Sequence, residues 1–201
     1  GRQGWAEPEI TYSLWHMPNA LRIGGRVYPI RTDFRTGIEY QRIAAAGKLT
    51  AASFLDLWFP DSQPEDVSAA IEGISRFVRR KDAAPATAEQ QNGPVPYDLT
   101  ADSDVIAAGF LERYGIDLTA PETDMHWWRF MALLEGLCGP DFSRRVEIRT
   151  KDLGSMKAKE RAQWIKLRNL YAIHPNGVET VADHLRHLDE IIARSGGGNN
   201  G

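Results

Sequence analysis

The chain has 201 residues, 42% of them apolar, and a formal net charge of −3, which suits one globular domain or one domain with an appended element. It has no apolar run near the roughly 20 residues of a membrane span, and its opening GRQGWAEPEITYSLWH lacks the basic start and apolar stretch of a secretory signal, so neither class is expected. One cysteine, Cys138, excludes an internal disulfide and a four-cysteine zinc site; in its apolar setting it is expected to behave as a small buried hydrophobe.

Residues 1–20 read as an N-terminal extension. LRIGGRVYPI (21–30) predicts a hairpin: Leu21 and Ile23 alternate, Gly24-Gly25 supplies the turn, and Val27 to Ile30 return. Asp33 predicts the cap of a helix to about Ala46, stopped by Gly47. Thr50 starts a short helix with Phe54, Leu55 and Trp58, closed by Pro60. Ser62 and Glu65 have capping-box spacing around Pro64, ahead of a stripe of Val67, Ile71, Ile74 and Val78. Residues 81–98, KDAAPATAEQQNGPVPYD, are rich in proline and small polar residues and predict a mobile linker.

A helix over roughly 101–114 follows, with Ile106, Phe110 and Tyr114 at spacing four and Gly115 as its stop. YGIDLTAPETDMHWWRFMALLEGL (114–137) then predicts an apolar helix over about 120–138, with a capping box at Thr119 and Glu122. Adjacent residues on a helix lie about 100° apart, so Trp127 and Trp128 are not expected to face one core together; one is expected to face a second layer or an interface, with the outward one as a partner anchor. A short helix over 142–149 and one over 158–173, with Trp164, Leu167 and Tyr171 inward, complete this region. Over 177–194, Val178, Val181, Leu185, Leu188 and Ile192 are spaced 3-4-3-4. That is ordinary docking on a core or, alternatively, a seam for self-association. The tail SGGGNNG predicts disorder. The fold expected is mainly α, a compact multi-helix domain with a short N-terminal β-hairpin.

No catalytic constellation stands out. His184 and His187 could offer two imidazoles to a metal, but no third ligand has a recognisable spacing, and a solvated histidine face is the better reading. His126 sits by no nucleophile motif, and Asp33 with Arg35 reads as capping. Gly24-Gly25 has no phosphate-binding context. No catalytic residue, metal or cofactor is therefore assigned. Residues 144–168 carry nine bases against three acids. Without aromatic interleaving or a nucleic-acid motif, this reads as a solvated face before a site for an acidic partner, and no nucleic acid is expected.

Three blocks carry a resemblance. RVYPIRTDFRTGIEY (26–40), YGIDLTAPETDMHWWRFMALLEGL (114–137) and FSRRVEIRTKDL (142–153) resemble the bacteriophage "gene product fifteen" family, tail proteins of long-tailed phages. The matching positions are Thr32 to Arg35; Tyr114 to Leu118, His126 to Trp128, Phe130, Leu133, Leu134, Gly136 and Leu137; and Ile148, Arg149, Asp152 and Leu153. The resemblance covers about residues 23–173, so 21–173 is expected as the family-like domain, and 174–201 as an added helix and tail. It implies a non-enzymatic tail assembly chaperone in the host cytoplasm. Such a protein binds the tape-measure protein, with the tail-tube protein as a second candidate partner, until the tube polymerises. The partner-binding residues expected are Trp127, Trp128, His126, Met131, Arg144, Arg145 and Arg149. The competing reading is a structural tail or head-completion component retained in the virion.

Overall fold

The computed structural model describes residues 17–80 and 95–173. Among them are seven helices and one two-stranded antiparallel sheet, the mainly helical architecture expected from the sequence. The described residues fall into two compact units: 17–80 with 125–128, and 95–124 with 129–173. The expected linker lies mostly at 81–94, outside the described residues; the helix expected over 177–194, with its docking or self-association stripe, the glycine tail and residues 1–16 also lie outside them.

In the first unit, β1 (Ala20–Ile23) pairs with β2 (Arg26–Pro29), Leu21 opposite Tyr28 and Ile23 opposite Arg26. Gly24 and Gly25 hold φ of 56° and 82°, the left-handed pair that a two-residue hairpin turn demands. Three helices follow, each opened by a polar side chain that satisfies an orphan amide. For α1 (Phe34–Ala45), Asp33 accepts from the Arg35 amide at 2.8 Å. For α2 (Ala51–Trp58), Thr50 and Ser53 cap each other reciprocally, at 3.1 and 2.9 Å. For α3 (Val67–Arg79) the cap is Asp66, on the Ala69 amide at 2.9 Å, rather than the expected box at Ser62 and Glu65. The core is strongly aromatic. Tyr40, Trp58, Phe77 and Trp128 form a chain of neighbouring rings with centroids 5.5–5.8 Å apart, in the offset and edge-on arrangements aromatic pairs favour.

The second unit contains α4 (Ser103–Tyr114), most of α5 (Trp127–Glu135), α6 (Pro140–Thr150) and α7 (Ala158–Leu170). Phe110 and Phe130 stack at 5.3 Å in its core. Gly109 lets Leu137 approach α4; a Cβ there would meet the leucine at 3.1 Å. The Tyr114 hydroxyl donates to the Leu133 carbonyl at 2.8 Å.

Four expectations for this unit are corrected. The tryptophan helix starts at Trp127, not near residue 120. The Asp117 carboxylate takes both the amide and the hydroxyl of Thr119, at 2.8 and 2.6 Å, so that hydroxyl serves a local turn instead of a helix cap. Cys138 lies beyond the end of α5 and is exposed, not buried. In α7, Trp164, Leu167 and Tyr171 are only half-buried, and no residue of the helix is buried. Polar contacts hold that helix instead. Arg161 donates to the carbonyls of Leu153, Gly154 and Met156 at 2.9–3.0 Å, Arg168 donates to that of Lys151 at 2.5 Å, and the Lys151 ammonium lies 5.4 Å from the Trp164 ring.

Candidate partner-binding site

The HWW segment enters the first unit as a backbone pairing. Asp33 and His126 form an isolated antiparallel bridge, with the Phe34 amide donating to the Met125 carbonyl at 2.9 Å and the Trp127 amide to that of Thr32 at 2.6 Å. His126 is half-buried and caps α5 through Nδ1, which accepts the Trp128 amide at 3.0 Å. Its Nε2 lies 3.0 Å from the Pro18 carbonyl.

Trp127 and Trp128 are both fully buried, so the expectation that one faces outward is corrected. The physical reason lies at the end of α3. Trp128 Nε1 donates to the Phe77 carbonyl at 2.7 Å and Trp127 Nε1 to the Val78 carbonyl at 3.2 Å. Successive residues of a helix are themselves about 100° apart, so two indoles diverging by that angle meet two successive carbonyls of the last turn of α3, of which that of Phe77 also accepts the Arg80 amide at 3.2 Å. Burial removes both tryptophans from any accessible partner surface. Trp128→Phe keeps most of the ring but removes the indole donor; unfolding in urea is expected to show a loss of about 1–2 kcal/mol.

The basic segment divides in the same way. Arg149 is buried, and its guanidinium meets the Asp102 carboxylate at two points, 2.5 and 2.9 Å. It also donates to the carbonyls of Tyr171 at 2.7 Å and Pro96 at 3.3 Å. Asp102, 1% exposed, accepts further from Arg145 at 3.1 Å and from the Asp98 amide at 3.0 Å. Arg145 extends the cluster to Asp104 at 3.0–3.1 Å. Burial pushes the Asp102 carboxyl up, but the hydrogen bonds from Arg149, Asp98 and Arg145, with the charge of Arg149, outweigh it and hold the group below its ordinary value. Arg145, part-exposed, and Arg149, buried, thus belong to an ionic cluster around Asp102. Of the seven expected residues, Arg144 is exposed and Met131 half-buried. The exposed bases Lys157, Lys159 and Lys166 accompany Arg144 on α6, α7 and the turn between them.

Sequence reasoning missed the Asp102 cluster. Its legible signal was the pair Arg145 and Arg149, four apart on one helix face, with Asp102 and Asp104 at the start of another helix.

Residues 16–173 match the family model described as Bacteriophage Gp15 protein. The match spans well over half of the chain, and the chain belongs to that family. The family places it among phage structural or assembly-related proteins. No curated protein and no solved structure matches it. Among the described residues, no helix is long and apolar enough to cross a membrane.

Proposed function

We propose that this member of the phage Gp15 family is a tail assembly chaperone that binds the tape-measure protein in the host cytoplasm and keeps it soluble until the tail tube polymerises around it. Membership of the family carries this reading. A tape-measure protein is a very long helical chain with apolar stripes, which aggregates when left uncovered; a helical protein with exposed side chains on its helices offers a surface of the right kind. Within the second unit, the exposed bases Arg144, Lys157, Lys159 and Lys166 supply the contact to acidic residues of that partner, and the tail-tube protein is the second candidate partner. Arg145 and Arg149 are left out of this surface because Asp102 holds them.

Two readouts test the proposal. Binding of the purified chain to tape-measure fragments is expected to weaken as salt rises. It is expected to fall about tenfold in a triple variant, Arg144→Glu, Lys159→Glu and Lys166→Glu, at roughly 0.5 kcal/mol for each exposed contact. Binding indifferent to both overturns the basic surface. Mass spectrometry of purified virions separates the chaperone from the competing reading: the chaperone is absent from finished particles, and a tail or head-completion component is retained.

A further inference from the structure

His126 stands where one proton changes what the first turn of α5 can do. Its Nδ1 accepts the Trp128 amide at 3.0 Å, so that nitrogen presents a lone pair and carries no hydrogen. Nε2 then bears the ring's single hydrogen and donates it to the Pro18 carbonyl at 3.0 Å. A neutral ring satisfies both contacts; an imidazolium satisfies only the second. A hydrogen on Nδ1 would point at the Trp128 N–H, at a helix N-terminus where the backbone dipoles already concentrate positive potential.

The surroundings do not offset that charge. The Phe77 ring of α3 stands edge-on at 5.6 Å and the Trp128 ring at 6.1 Å. Across the backbone bridge, the Asp33 carboxylate caps its own helix and lies 3.5 Å from the Arg35 guanidinium. Burial pushes the His126 ring below the ordinary histidine value, by more than the Pro18 hydrogen bond raises it.

We propose that His126 is a proton-sensitive latch: neutral, it closes the first turn of α5 over the end of α3, and protonated, it releases that turn with the two indoles of Trp127 and Trp128. The sign follows from linkage. A base whose folded pKa is depressed contributes stability above its unfolded value, about 6.5 for histidine, and loses it as the pH falls through the folded value. Between those two values each pH unit downward favours the open turn about tenfold, and below the lower one the effect levels off.

The test follows the full chain by NMR between pH 8 and about 4.5, in wild type and in His126→Asn. Asparagine caps a helix N-terminus through a non-titrating oxygen. In wild type, the His126 ring is expected to titrate below the ordinary histidine value of about 6.5. The protection factors of the Trp128 amide and of both indole N–H groups are expected to fall by up to about tenfold per pH unit from about pH 6.5 down to its titration point, and to level off below it. In His126→Asn that pH dependence is expected to vanish. A His126 ring that titrates at or above about 6.5 overturns the latch without any use of the variant. So does an identical loss of protection in His126→Asn.

Discussion

Gly37→Ala is expected to destabilise the chain by about 3 kcal/mol or more, at the upper end of what overpacking a core costs. A Cβ built on Gly37 falls 2.3–2.7 Å from three carbons of the Trp127 ring. The ring cannot retreat easily: Trp127 is fully buried, its amide is bonded to Thr32 at 2.6 Å, and its indole N–H is bonded to Val78 at 3.2 Å. One methyl group therefore confronts α1, the end of α3 and the start of α5 together. Urea unfolding followed by circular dichroism measures the loss. Adding Trp127→Phe removes the ring atoms in conflict, so the double variant is expected to recover part of it. Simple addition of the two single losses would show that the two residues act independently, against the contact described.

Asp102→Ala is expected to cost about 3–5 kcal/mol, the range for breaking a buried ion pair by removing one partner. Arg149, 6% exposed, would keep the Tyr171 and Pro96 carbonyls but lose the bidentate Asp102 carboxylate. Against a total stability of about 5–15 kcal/mol, that is a large fraction. Replacing both partners with apolar residues of similar volume, Asp102→Leu with Arg149→Met, is expected to recover most of the loss, because no uncompensated charge remains. The same pair makes the fold acid-sensitive. The folded Asp102 carboxyl lies below its ordinary value, so its contribution is present above about pH 4 and is lost as the pH falls through the folded value. In Asp102→Leu/Arg149→Met that acid loss is expected to shrink.

The local grammar of the chain was legible where a helix announces itself through its own neighbours. Asp33, Thr50 and Gly115 each mark a boundary at the position the structure gives it, because capping is settled by residues within one turn of each other. Gly24-Gly25 likewise specified the hairpin. The failures are tertiary. Thr119 had the spacing of a cap, but Asp117 competes for it two residues away, and the true cap, His126, is a residue type that sequence patterns seldom nominate. The direction of the two tryptophans depends on where the end of α3 lies, some fifty residues earlier. Arg145 and Arg149 looked like part of a solvated basic face because their acid, Asp102, is over forty residues away. The candidate site was therefore legible as a set of functional motifs but not as an accessible surface: exposure was decided by contacts that no local window contains.

Co-expression of the chain with the tape-measure protein of the same phage, followed by a solubility assay and pull-down, tests the proposed chaperone function most directly. The chaperone reading predicts that the tape measure is soluble only when this chain is present, and that the two proteins co-purify. A tape-measure protein that stays insoluble and unbound beside abundant, folded chain contradicts it.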